Sequence, residues 1–115
     1  MTFETKKLGS EGEDKARKFL EDKGFIFLAK NLKLFCGEVD LLMQDKNDLV
    51  VCEVKTKSDE SFGRAAEMIT FKKRKKLLQL AKALWQKFPK QTVRIDVIAI
   101  DDNNIDHLVN AVEEG

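Results

Sequence analysis

Apolar positions along the chain change their spacing several times, and each change marks an element. Ala16, Phe19 and Leu20 recur at the 3.6-residue period of a helix, which predicts a helix over 9–24 closed by Gly24. Ser10 followed by Glu13 reads as a capping box at its start. Residues 25–34 open with a β-rich run, Phe25-Ile26-Phe27-Leu28, and continue by alternation, which predicts a strand. Two further β-type runs, 37–44 and 49–57, flank the polar segment Asp45-Lys46-Asn47-Asp48 and read as a hairpin. Residues 58–70 are polar and contain Gly63, and read as a loop. Leu77, Leu80, Ala81, Leu84 and Phe88 form the stripe of a helix over 71–88, with Thr70 as N-cap and Pro89 as terminator. Residues 93–100 are a mostly apolar strand, and Ile105 to Val109 a short edge strand. The order αβββαβ predicts an α/β fold with a mixed sheet of four to five strands flanked by helices, in one domain with its core over about 9–112.

Charge adds an asymmetry. The net charge is +1, yet residues 71–90 hold eight Lys and Arg and no acid. The remaining 13 basic and 20 acidic residues leave the rest of the chain at −7. The run Lys72-Lys73-Arg74-Lys75-Lys76 suits a polyanion, and equally a solvated helix face. No apolar run reaches the ~20 residues of a membrane-spanning helix, and Met1 to Lys7 lacks the apolar stretch of a secretory signal. Two cysteines, Cys36 and Cys52, have no metal-ligand spacing and fit a reducing cytoplasmic setting. Cys52 reads as a small core residue, and Trp85 as packing.

The hairpin carries the candidate chemistry. Val39, Leu41 and Met43 share one face of the first strand, and Val50, Cys52 and Val54 one face of the second. Placing both on the core side pairs Met43 with Val50, Leu41 with Cys52 and Val39 with Val54. Asp40 then falls opposite Glu53, and Glu38 opposite Lys55, with directly opposed Cβ atoms about 5 Å apart. Two facing carboxylates repel, and a divalent cation such as Mg²⁺ or Mn²⁺ relieves that cost. A neighbouring lysine suits a water. The plain alternative is a solvated sheet face with a Glu38–Lys55 ion pair. Glu13 lies on the apolar stripe of the first helix and reads either as a third carboxylate for the site or as part of the cap. His107, the only histidine, has no partner visible in the sequence, and the role of Asp96 stays open.

These residues form a recognisable order. Asp40, twelve residues, then Glu53-Val54-Lys55 resembles the D…(D/E)-x-K signature of restriction-endonuclease-like nucleases. The set Gly9, Gly12-Glu13, Ala16, Gly37-Glu38-Val39-Asp40, Cys52-Glu53-Val54-Lys55-Thr56, Lys73 and Asp96-Val97 resembles the YraN-like family, which is assigned to that superfamily and is similar in pattern to Holliday-junction resolvases. The resemblance implies a restriction-endonuclease-like fold with the site on the hairpin. It implies metal ligation by Asp40, Glu53 and the Val54 carbonyl, a water oriented by Lys55, an added first-helix acid at Glu13, and Lys73 near a phosphate. Val39 stands where the superfamily's usual signature has proline. The expected activity is metal-dependent hydrolysis of phosphodiester bonds in DNA, ranked ahead of RNA, with branched DNA among the candidate substrates. Lys72, Lys73, Arg74, Lys75 and Lys76 would then lie on phosphates, and a resolvase would act as a homodimer. The rivals are a non-catalytic nucleic-acid-binding module on the same fold, and an interaction protein whose basic helix docks an acidic surface.

Overall fold

The computed structural model describes residues 3–56, 69–101 and 104–113, with side chains from residue 11 onward. The elements are α1 (Phe3–Asp22), β1 (Ile26–Leu34), β2 (Gly37–Asp45), β3 (Asp48–Thr56), α2 (Phe71–Lys87), β4 (Thr92–Ile100) and β5 (Ile105–Leu108). They form one five-stranded mixed sheet in the order β1-β2-β3-β4-β5. Only β3 and β4 run parallel, and α2 lies in the connection between them. The predicted α/β class and element order are those observed. Most of the predicted loop over 58–70 lies outside the described residues. No helix among the described residues is long and apolar enough to cross a membrane.

Helix α1 starts earlier than the predicted residue 9. Ser10 lies inside it, so the capping-box reading of Ser10 and Glu13 gives way. Helix α2 starts as the sequence indicates: Thr70 Oγ1 accepts a hydrogen bond from the Lys73 N–H at 3.1 Å.

The sheet is covered on both faces. Ala16 and Leu20 of α1 pack with Leu41, Met43, Val50, Cys52, Ile98 and Ile100 on one side. Leu77, Leu80 and Leu84 of α2 pack with Val39, Leu42, Val51, Ile95, Val97 and Ala99 on the other. This corrects the single core face read from the hairpin. The consecutive apolar run Leu49-Val50-Val51-Cys52 has no polar side because neither side meets water.

Two glycines set close approaches. A Cβ at buried Gly12 would lie 2.7 Å from Thr56 Oγ1, so α1 sits directly on the end of β3. A Cβ at Gly37 would lie 2.7 Å from Lys76 Cε, and Gly37 has φ +152°, so α2 sits against the β1–β2 turn. Both contacts bring the helices to the end of the sheet that carries the candidate site.

Candidate active site

The hairpin register is the predicted one from Asp45–Asp48 through Met43–Val50 to Leu41–Cys52. There the paired ladder ends, which corrects the expectation that it continues through Asp40–Glu53, Val39–Val54 and Glu38–Lys55. At the next position the Asp40 carboxylate accepts the Val54 N–H, with Oδ2 at 3.2 Å. A side chain has taken the place of a rung.

The neighbouring strand breaks its pattern at the same level. β1 pairs with β2 at Lys30–Leu41 and Leu32–Val39, but the intervening Asn31–Asp40 pair is missing from the register. Asn31 has φ +54°, a left-handed conformation that asparagine tolerates better than most residues. Leu41 consequently belongs to the α1-side core and Val39 to the α2-side core, although they are two residues apart. The local kink turns Asn31 and Asp40 out of regular alternation at the point where the carboxylates gather.

Glu53 is 4% exposed. Its Oε1 lies 3.4 Å from Lys73 Nζ and 3.7 Å from Lys55 Nζ. Burial raises the Glu53 pKa above the usual glutamate value, and the Asp40 charge raises it further. Lys73 and Lys55 pull in the opposite direction without cancelling the rise. Glu13, half-buried on α1, is also raised, first by burial and then by Asp40. Lys30 and the Asn31 side chain oppose that rise, and Glu38 adds to it. With its amide oriented by its surroundings, Asn31 donates to Glu13 Oε1 and to Glu38 Oε1, each at 3.2 Å. Asp40 therefore sits electrostatically between two carboxylates that both resist ionisation.

Among the residues predicted for the site, Asp40, Glu53, Lys55, Val54 and Glu13 converge, and Lys73 reaches them from the first turn of α2. Lys72, Arg74, Lys75 and Lys76 are exposed on the same turns, as the solvated-face and polyanion readings both require. Glu38 is drawn to Asn31, not to a cross-strand pair with Lys55. Asn31 was missed. Its signal is an asparagine where the apolar parity shifts from Phe25 and Phe27 to Leu32 and Leu34.

The donor set is all oxygen, which suits Mg²⁺ or Mn²⁺ more than a soft metal. A buried carboxylate that the neighbouring Asp40 charge makes harder to ionise fits a divalent cation between the two. Among the described residues, no group of three or more His, Cys, Asp or Glu forms a ready metal cage. The residues that could hold a cation are Asp40 and Glu53, with the Val54 carbonyl as the resemblance implies.

A second polar cluster is centred on β4, where Asp96 pairs with Cys52. Asp96, 0% exposed, accepts hydrogen bonds from Arg94 Nε at 3.1 Å and the Asn110 N–H at 2.9 Å, and lies 2.7 Å from His107 Nε2. Lys23 Nζ is 3.0 Å from His107 Nδ1, so Nδ1 accepts and Nε2 carries the proton given to Asp96. His107 thus has a partner the sequence did not reveal, in a structural network. Cys52 is a buried free thiol whose pKa burial pushes up, consistent with the core reading. Trp85 is 52% exposed, against the expectation that it packs.

Comparison with known proteins gives a consistent result. The model of a family described as Uncharacterised protein family UPF0102 matches residues 12–100. A UPF0102 protein of Janthinobacterium sp. (strain Marseille) is 41% identical over 106 residues, covering 91% of this chain and 86% of its own. One from Herminiimonas arsenicoxydans is 37% identical, covering 92% of this chain and 86% of its own. One from Vibrio campbellii is 36% identical, with 98% of both chains covered.

Proposed function

The chain belongs to the UPF0102 family, the YraN-like proteins, and from that premise we propose that it is a metal-dependent nuclease that hydrolyses phosphodiester bonds in DNA. The observation that carries this reading is the charge coupling of Asp40, held by the Val54 N–H, to buried Glu53 beside two lysines, one of them supplied by the basic helix. The order of these residues also resembles the restriction-endonuclease-like superfamily and its resolvases.

Asp40 and Glu53, with the Val54 carbonyl, would hold Mg²⁺ or Mn²⁺, and Glu13 would add a carboxylate at the helix side. Such a cation supplies Lewis acidity toward a phosphoryl oxygen and offsets its developing charge. Lys55 donates a hydrogen bond to the attacking water and fixes its direction. Lys73 lies where it can balance charge on the scissile or an adjacent phosphate. Lys72, Arg74, Lys75 and Lys76 hold the flanking phosphates. Water adds to phosphorus, the P–O ester bond breaks, and the products are a phosphomonoester and a free hydroxyl.

The test has two arms. Calorimetric titration of Mn²⁺ should give one binding event in the wild type that is lost in Asp40→Ala. Labelled duplex, single-stranded and four-way-junction DNA with Mg²⁺ should be cut, and Glu53→Ala should lower the rate by ~10²-fold or more. Equal Mn²⁺ binding by both proteins, or cleavage that survives Glu53→Ala, overturns the reading. One observation favours the non-catalytic rival: Glu53 already has Lys55 and Lys73 as counter-charges. DNA binding without cleavage of any substrate would select it.

A further inference from the structure

The turn between β1 and β2 presents Phe35 to solvent at 93% exposure, the most exposed of the large apolar side chains among the described residues. Turn positions favour Gly, Asn, Asp or Pro, and nothing in the local backbone requires an aromatic ring there. A single exposed apolar residue is ordinary by itself. This one sits in a shallow groove lined also by Lys33, Glu38 and Lys76. The Lys76 stem runs against the turn: its Cε lies 2.7 Å, and its Nζ 3.6 Å, from where a Cβ on Gly37 would be. The packing of α2 on the turn thus brings a lysine into the same groove as the ring. Glu38 brings one negative charge to the groove, but its Oε1 is held by Asn31.

The groove is linked to the candidate active site along α2, since Lys76 lines it and also lies beside Lys73. Lys76 follows Lys73 by three residues on α2, so the two share a helix face, and Lys73 touches Glu53. Phe35, in the turn that leads into β2, precedes Asp40 by five residues, at most about 16 Å of chain, or a few nucleotides at ~3.4 Å per stacked base. An exposed ring beside lysines, a few nucleotides from carboxylates suited to a cation, matches a strand of nucleic acid whose bases are not paired. A paired base has both faces covered by its neighbours, whereas an unpaired base offers a face to an aromatic side chain.

We propose that Phe35 is a stacking platform for an unpaired DNA base, with Lys33 and Lys76 on the adjoining phosphates, so that the protein selects single-stranded or branched DNA over continuous duplex. This rests on the nuclease reading for its substrate class, but it makes its own claim about binding.

The test is a binding measurement on the Asp40→Ala protein, which separates affinity from cleavage. Fluorescence anisotropy would compare a single strand, a four-way junction with unpaired bases at its centre, and a matched duplex. Adding Phe35→Ala should weaken single-strand and junction binding by about tenfold or more and leave duplex binding within ~2-fold. Phe35→Trp should restore it, and should quench a 2-aminopurine base placed in the single strand. Equal affinity with and without Phe35→Ala overturns the proposal, and so does an equal loss on all three DNAs. If the wild type cuts DNA while Phe35→Ala changes nothing, stacking fails alone. A Phe35 effect without cleavage supports stacking and removes the nuclease reading, and no DNA binding at all overturns both.

Discussion

Asp96 is a carboxylate without water contact, and its charge is carried entirely by its partners. Burial alone would raise its pKa. The hydrogen bonds from His107, Arg94 and the Asn110 N–H outweigh that and hold it below the ordinary aspartate value of 3.8. Burial likewise works against the Arg94 charge, but its bonds to Asp96 and Asp45 raise its pKa. A group with a lowered folded pKa contributes stability that is full above its unfolded value and is lost as pH falls through the folded one. In urea titrations, the stability difference between wild type and Asp96→Asn should therefore be constant near neutrality and shrink below about pH 3.8. Asp96→Ala should cost about 3–5 kcal/mol at pH 7, because it leaves the Arg94 charge without its buried partner. Asp96 is legible in sequence only as a polar residue in an apolar strand. Arg94 lies two residues before it on β4, but its other partners come from β5 and from the turn after it, and no local pattern ties those segments together. The hairpin residues were easier to read, because alternation alone puts Asp40 and Glu53 on related faces.

At the scale of elements, α2 carries a conflict. Its first turn has no acidic residue, and five consecutive cations follow Phe71 at the end where the peptide dipoles are positive. Each misplaced charge costs some tenths of a kcal/mol, and Thr70 offsets part of it by capping Lys73. Lys72→Glu should therefore raise the thermal midpoint slightly, by about 0.3–1 kcal/mol of stability, while weakening DNA binding. Thr70→Ala should cost about 0.5–2 kcal/mol and lower cleavage as well, since the cap fixes the turn that aims Lys73 at Glu53. The cap, the stripe and the proline stop were all visible in the sequence. The start of α1 was not, because Gly9, Ser10 and Gly12 look like an end, whereas Gly12 is needed for close contact with β3. Strand register was readable as far as Leu41–Cys52. It failed one step later, where a carboxylate replaces backbone pairing, a substitution that periodicity does not signal.

Across the whole molecule, a sheet with both faces covered places ionisable groups where water cannot compensate them. Glu53 lies under α2 for that reason, on a strand whose other residues from Leu49 to Val54 are all apolar. In the cation-free protein Glu53→Gln should raise the thermal midpoint by a few degrees while abolishing cleavage. Differential scanning calorimetry of the two proteins in EDTA checks it, and a lower midpoint would mean that Lys55 and Lys73 depend on that charge more than burial opposes it. The near-zero net charge hides the polarity of the molecule. Plots of log affinity against log salt for duplex DNA should lose about one unit of slope for each phosphate-contacting residue among 72–76 that is neutralised. The uneven charge was legible from residue order alone. Two-sided burial was legible only in the unbroken run from Leu49 to Cys52.

The bond between the Val54 N–H and Asp40 gives the protein an internal reporter. Anything that draws the Asp40 carboxylate toward a cation or a phosphate must loosen its hold on that amide proton. In an isotope-labelled sample, the Val54 resonance should move on adding Mn²⁺-free Mg²⁺, and its deuterium uptake should quicken in Asp40→Ala. A single backbone proton in the middle of a strand would then register occupancy at the candidate site before any bond in DNA is cut.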